Sequence, residues 1–505
     1  MLFPSPIFLS IFLPITALAC ALLRRVRLRN AFLLAASLTF YAWGGWVNAV
    51  LLVICAMANF GLALWFNKLK VKSEELKVKC GRPRRSPLQD VCYRYAGKQY
   101  VVGASPRLAR GHKKQSFVDS LTNNFSIPTI LTVVVNMGLL SFFKFAPLFT
   151  DRIVFPIGIS FFTFQAMGYT LDVRSGRTQA ARNPFDILLF ICLFPQLIAG
   201  PIESYGNIRG QLRRNDMSWD GAGKGIRAFA AGLCMKVLLA DTLAKCASLA
   251  FACPAELRSA PLAWLGAAAY TLQIYFDFAG YSVMALGLGQ IIGIRFTENF
   301  RTPLAASSVQ DFWKRWHITL TGWFRDYVYI PLGGNRRGAL CTVRNIAVVY
   351  LLTGIWHGAD WSFIAWGLFN GLFVILERLQ VIRARKMPKW AAHAYVWAVV
   401  CVGFAMFRAG SLAAGAAYIK DMFDFGGVSL QRLLQPLDLK TIAAMAVGMF
   451  FAVYGRIGGK TDETGEPGAR PYKGYLAMTI ALIGIVFSYT AILASGYHPF
   501  LYFAF

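Results

Sequence analysis

Apolar residues recur in long blocks from one end of the chain to the other, at 5–23, 31–44, 46–66, 126–147, 153–171, 185–201, 225–250, 262–294, 345–358, 361–376, 391–407, 440–456 and 474–494. Most approach the roughly 20 residues that carry a helix across hydrocarbon, so lipid is the solvent for most of this chain. The blocks at 31–44 and 345–358 reach only about 20 Å at the helical rise, short of the roughly 30 Å core. With the breaks at Phe155-Pro156-Ile157-Gly158 and Ala199-Gly200-Pro201, they predict re-entrant or broken helices around a buried cavity, where protein satisfies the backbone. The expected fold is all-α and polytopic, with about 11 to 13 transmembrane or re-entrant helices plus interfacial ones.

The polar stretches set the topology. The first block follows Met-Leu-Phe-Pro-Ser-Pro, and its positive charges (Arg24, Arg25, Arg27, Arg29) come after it. That order predicts a retained span with an extracytoplasmic N-terminus, not a cleaved signal peptide. Residues 68–115 hold 14 Lys or Arg against Glu74, Glu75 and Asp90, which assigns them to the cytoplasm. Counting spans from an outside N-terminus gives the same side. Three parts result: N-terminal transmembrane helices over 1–66, a basic cytoplasmic loop over 67–124, and a helical core over 125–505 that carries the candidate chemistry.

Composition removes the soluble classes. Hydrophobic residues make up 56% and charged residues 15%, against about 25% charged in soluble domains. The net charge of +28 would suggest nucleic acid on a soluble protein; here it marks cytoplasmic loops facing anionic lipid, and no nucleic-acid partner is expected. The ten cysteines include no C-x-x-C pair, and Cys20, Cys55, Cys192, Cys234 and Cys401 lie inside apolar blocks as small hydrophobes.

Polar residues within spans are costly and so mark candidate chemistry. Over Asp311–Gly338, Trp313, Trp316, Leu320 and Phe324 fall on one flank at helical spacing, with Lys314, Arg315 and Arg325 elsewhere. This predicts one amphipathic helix at the cytoplasmic interface that carries His317. The turn Pro331-Leu-Gly-Gly-Asn335 then leads to Arg336 and Arg337. A backbone-rich turn beside two arginines suits a phosphate-bearing donor, with Arg325 and Asn335 alongside, and positive-inside anchoring is the other reading of the same arginines. His357 lies 13 residues beyond Arg344, about 20 Å deep on a helix. Trp356 precedes it, and Thr353 and Asp360 are near in sequence. A neutral imidazole there can take a proton from a hydroxyl. In 262–294 the only charge is Asp277, and Gln273, Asp277 and Tyr281 share one helix face, either as a clamp between helices or as tunnel lining. Gly289 and Gly293 suit close helix packing better than a dinucleotide loop. No zinc signature, no His–Cys cluster and no G-x-S-x-G elbow occurs, so no metal site and no serine hydrolase is expected.

The run W-H-I-T-L-T-G-W-F-R-D-Y-V-Y-I-P-L-G-G-N-R-R-G, followed by L-L-T-G-I-W-H-G-A-D-W-S-F-I-A-W-G-L, resembles the signature of the membrane-bound O-acyltransferase (MBOAT) family, in its bacterial polysaccharide O-acetyltransferase branch. G-I-S-F-F-T-F-Q (158–165), F-P-Q-L-I-A-G-P-I (194–202), Y-F-D-F-A-G-Y-S (275–282) and the terminal P-F-L-Y-F-A-F (499–505) extend the match from about residue 150 to the end. Any one of these alone would be weak; the ordered set is specific.

The resemblance implies an MBOAT-like funnel through the bacterial inner membrane, with His357 as the catalytic histidine and His317 as a second active-site histidine; Trp313 and Trp356, with Gln273, Asp277 and Tyr281, are the candidates for lining a tunnel. It implies acetyl-coenzyme A as a cytoplasmic donor and no permanently bound cofactor. The acetyl group would reach an exported polysaccharide through an extracytoplasmic acetyltransferase partner. Val283 departs from the pattern, since the family commonly has an acidic residue there, and the basic insertion has no family counterpart. A D-alanyl transfer protein drawing on a carrier thioester is the alternative within the fold. A polysaccharide export channel is the alternative outside it.

Overall fold

The computed structural model describes residues 1–79, 92–95, 98–101, 127–146, 149–150, 155–214, 216–427, 429–455, 471–495 and 500–501. Helices account for nearly all of them. The N-terminal group is a π-turn Phe8–Phe12 running into α1 (Leu13–Leu22), then α2 (Val26–Ala42) and α3 (Trp46–Lys79). The basic insertion contributes the one departure from an all-α chain among the described residues, an antiparallel hairpin of β1 (Cys92–Tyr95) and β2 (Lys98–Val101). The rest of that loop lies outside the described residues, as do His112 and His498. The core continues with α4 (Ile127–Phe145), α5 (Ile159–Ser175), α6 (Pro184–Cys192), α7 (Phe194–Leu197), α8 (Tyr205–Leu212), α9 (Trp219–Cys234), α10 (Asp241–Ala252) and α11 (Ala260–Ile291). After these come α12 (Val309–Arg315), α13 (Ile318–Phe324), α14 (Ala339–His357), α15 (Trp361–Arg378), α16 (Lys389–Arg408), α17 (Leu412–Asp421), α18 (Leu430–Leu434), α19 (Leu439–Tyr454) and α20 (Pro471–Ser495).

Among the described residues, five helices are long and apolar enough to cross a membrane by length and composition: Trp46–Lys70, Ile127–Phe145, Ala339–His357, Lys389–Arg408 and Leu476–Ala494. Two expectations on length change. The block at 345–358 is the apolar part of the 19-residue α14, because Ala339–Arg344 is helical too; at about 28 Å it is not a short re-entrant piece. The block at 31–44 likewise belongs to the 17-residue α2. The block at 225–250 is one continuous helical run, in which α9 passes into α10 through a π-helical segment at Met235–Ala240.

Two devices fix the packing. Helices α9 and α11 approach through reciprocal glycines: a Cβ on Gly232 would lie 2.5 Å from the Gly280 carbonyl oxygen, and one on Gly287 would lie 2.6 Å from that of Gly225. The close packing expected at Gly289 and Gly293 is of another kind. A Gly289 Cβ would meet Ile294 and Phe296 of the following turn, and Gly293 has a left-handed φ of 78°. The second device is polar. Asn59 of α3 and Asn136 of α4 exchange amide hydrogen bonds of 3.0 and 2.9 Å, and Thr170 of α5 donates to Asn59 Oδ1 at 3.0 Å. Three helices are thereby held in register where water is absent.

Asp277 is a clamp between helices. Lys236, in the π-turn, reaches Asp277 Oδ1 at 2.8 Å and Asp241 Oδ1 at 2.5 Å. The Leu501 backbone N–H donates to Asp277 Oδ2 at 2.8 Å. One turn along α11, Tyr281 lies between the two ends of the described chain, stacked on Phe3 at 4.5 Å and on Phe500 at 4.9 Å between centroids. Gln273, on the same face, is buried. Of these three candidates for tunnel lining, Asp277 and Tyr281 are thus occupied by protein.

Candidate active site

His317 is not on a continuous helix. The chain turns at this residue, which adopts a left-handed φ of 43° between α12 and α13. The bend is held by pairing with an upstream segment, since Arg301 N donates to Arg315 O at 3.0 Å and Ile318 N to Asn299 O at 2.9 Å. Ser308 caps α12, and the buried Glu377 carboxylate of α15 accepts from the Val309 and Gln310 N–H groups at 2.7 and 2.9 Å. A carboxylate at a helix N-terminus matches the helix dipole. The consequence is a correction: His317 is 2% exposed and lies in the interior, not at a wet interface.

Asn299 fixes the His317 tautomer. The Asn299 Oδ1 accepts from the Thr319 backbone N–H at 3.2 Å, which identifies that atom as the amide oxygen, and His317 Nδ1 is 3.0 Å from it. An oxygen can only accept, so Nδ1 carries the proton and the neutral ring has its lone pair on Nε2. Thr319 Oγ1 in turn accepts from Ile202 N at 3.0 Å, tying the bend to the segment after α7.

His357 is the last residue of α14, 7% exposed. Its ring meets Trp356 at 4.8 Å, Trp366 of α15 at 4.9 Å and Phe407 of α16 at 5.3 Å, each edge-on. Trp356 also lies 6.2 Å from the His317 ring, which in turn packs on Phe161 at 6.2 Å and Phe278 at 4.7 Å. The two imidazoles, 40 residues apart in the chain, are therefore neighbours of one indole. Trp313 joins the same cluster through Trp366 at 5.6 Å. Helices α14 and α15 are a tight antiparallel pair, since a Cβ on Gly354 would stand 2.6 Å from the Phe363 carbonyl oxygen. Asp360 N-caps α15 through Ser362 N at 2.7 Å, so this carboxylate serves the turn after His357.

The basic turn lies at the opposite end of α14. Gly333 and Gly334 have φ of 105° and 54°, values that favour glycine. Asn345 Nδ2 donates to the Gly334 carbonyl at 3.0 Å, and Arg344 Nη2 to that of Leu332 at 3.2 Å, pinning the turn to the start of α14. Arg336 and Arg337 are exposed there, as is Asn335, whose Oδ1 accepts from the Tyr329 hydroxyl. Arg325 pairs with Asp326 at 2.8 Å, which pushes its guanidinium pKa up. The structure thus groups His317, His357, Trp356 and Trp313, and places the four candidate donor contacts apart from them. Residues not expected from sequence are Asn299, Phe161, Phe278, Trp366, Phe407 and Lys144, whose ammonium donates to the Trp356 carbonyl.

A multi-pass helical membrane protein with two imidazoles buried against one indole is the class that fold and site define. The family model described as MBOAT, membrane-bound O-acyltransferase family, matches residues 180–413, which include both imidazoles. The chain is 36% identical to the probable alginate O-acetylase AlgI of Pseudomonas putida over 524 residues, covering 100% of each. It is 35% identical to the protein of that name in Pseudomonas aeruginosa, over 90% of this chain and 80% of that one. With the peptidoglycan O-acetyltransferase of Helicobacter pylori it shares 35% identity over 60% of this chain and 66% of that one. The chain belongs to the membrane-bound O-acyltransferase family and is a multi-pass membrane O-acyltransferase.

Proposed function

We propose that the chain takes an acetyl group from cytoplasmic acetyl-coenzyme A and passes it across the bacterial inner membrane for O-acetylation of an exported polysaccharide. Its N-terminus is extracytoplasmic, and an acetyltransferase partner on that side receives the group or presents the polymer. The observation that carries this reading is the placement of His357. It sits in an aromatic cage at one end of a 19-residue helix whose other end bears an exposed basic turn. The names of the relatives, alginate O-acetylase and peptidoglycan O-acetyltransferase, support a polysaccharide acceptor.

In this reading the donor's phosphates stay at Asn335, Arg336 and Arg337, because several negative charges cannot enter hydrocarbon. The thin pantetheine arm, about 15 to 20 Å at the spacing of a near-extended chain, runs inward toward His357. His357 removes the proton of the acceptor hydroxyl as its oxygen bonds to the acetyl carbonyl carbon. The C–S bond breaks, and the proton passes to the departing thiolate. His317, fixed by Asn299, assists at the same indole.

The test is thiol release from acetyl-coenzyme A by purified protein. Wild type should turn over, and His357→Ala should lose about 10² to 10⁴ of the rate, the usual contribution of a general base. Turnover of a carrier-protein thioester without turnover of acetyl-coenzyme A would replace this reading with the D-alanyl-type one. Full activity in His357→Ala would remove the mechanism.

A further inference from the structure

Lys144 is the penultimate residue of α4, a helix long and apolar enough to cross the membrane. An ammonium there ordinarily snorkels outward to headgroups. This one turns inward. Its Nζ donates to the Trp356 carbonyl and stands 5.8 Å from the centroid of the Trp356 ring. No carboxylate lies within ion-pair distance of it among the described residues, where the other inward-turned lysine, Lys236, has two. What Lys144 has is the carbonyl end of α14.

The last four carbonyls of a helix have no partner within it, and they carry the negative end of its dipole. In α14 the Gly354 carbonyl is taken by Gly358 N at 3.3 Å, after which the backbone becomes extended. The Trp356 carbonyl is left to Lys144. That peptide carries the indole lying between the two imidazoles and leads directly to His357. The position of Lys144 is itself fixed. Eight residues earlier on α4, Asn136 locks this helix to α3 through the amide exchange with Asn59, about 12 Å away along the axis.

We propose that Lys144 is a positioning residue for acyl transfer: its ammonium ties the carbonyl end of α14 to α4 and so holds Trp356 and His357 in the geometry that the reaction needs. It does not touch the reacting atoms. Loosening the last turn of α14 by about 1 Å is enough to cost on the order of 10²-fold in rate, and because the donor's phosphates are anchored elsewhere the loss falls on kcat.

The inference rests on the acyl-transfer reading, and the experiment separates the two. Wild type, Lys144→Met, Lys144→Gln and Lys144→Arg are purified, checked for monodispersity and thermal stability, and assayed with acetyl-coenzyme A. Arginine keeps both charge and donor, glutamine keeps a donor alone, and methionine keeps only the stem. The expected order of kcat is Arg, then Gln, then Met, with Met about 10- to 100-fold below wild type and KM within about twofold for all. Wild-type kcat in Lys144→Met, or a loss confined to KM, would overturn the inference. If Lys144→Met does not fold, Lys144→Gln against Lys144→Arg decides, and equal activities refute it. A wild type inactive on acetyl-coenzyme A would refute the donor instead. The same order is then read from O-acetylation of exported polymer in cells, where equal acetylation by all variants refutes the role of Lys144.

Discussion

The ion triad of buried Lys236 and Asp277 with partly buried Asp241 makes unequal predictions for its members. In Asp277→Asn the ammonium loses one carboxylate at 2.8 Å but keeps Asp241 at 2.5 Å, and a side-chain oxygen can still accept from Leu501 N. One charge-assisted hydrogen bond is lost, worth about 1.5 to 3 kcal/mol. In Lys236→Met the two carboxylates are left facing each other without a cation, which is the uncompensated burial that costs about 3 to 5 kcal/mol. Lys236→Met should therefore be the worse variant by about 2 kcal/mol. Lys236→Met with Asp277→Leu should recover much of the loss, because an apolar pair of similar volume is often neutral in place of a buried ion pair. The assay is survival of the monodisperse species on gel filtration after heating in detergent, scored as inactivation rate since membrane proteins rarely refold. Asp277→Asn proving the more damaging, or losses in the double variant that simply add, would refute this account of the clamp.

Other outcomes follow from the same geometry. Gly232→Ala should destabilise by about 1 to 3 kcal/mol, since its Cβ would lie 2.5 Å from the Gly280 carbonyl oxygen, whereas Gly138→Ala, with nothing within 4 Å, should be neutral or up to about 1 kcal/mol stabilising; thermal melts of the pair check this. Asn299→Leu should lower kcat with little change in KM, and Asn299→Asp, which keeps the acceptor toward His317 Nδ1, should retain more of it; steady-state kinetics checks the split. Reversing charge at Arg336 and Arg337 should raise the donor KM far more than it lowers kcat, because phosphate anchoring is mostly uniform binding. An unchanged KM would place the phosphates elsewhere.

The helical blocks were legible because lipid forces long apolar runs, and His317 and His357 were legible because imidazoles are scarce in this chain. The bend at His317 was not. Trp313, Trp316, Leu320 and Phe324 keep helical spacing across it, since α12 and α13 bury the same side, and the break is made by distant pairing with Asn299 and Arg301. Asp277 stayed open between a clamp and a tunnel lining because its partner, Lys236, is 41 residues away in another apolar block. Lys144 did carry a signal, being a lysine inside the apolar block 126–147, but its meaning depends on where α14 ends. Sequence periodicity reports which face is buried; it does not report what another helix brings to that face.

The stacking of Tyr281 between Phe3 and Phe500 has a temporal side. Ribosomes add roughly 5 to 20 residues each second, so Phe500 emerges about 10 to 40 s after His317 and later still after Phe3. Until then Asp277 lacks the Leu501 amide, one face of Tyr281 is uncovered, and Phe278, which touches both Phe500 and His317, is without its outer support. The stack of Phe3, Tyr281 and Phe500 is therefore completed only when Phe500 has been made. A chain that stops short of Phe500 already holds His317 and His357 but lacks the ring that packs on Phe278 and Tyr281.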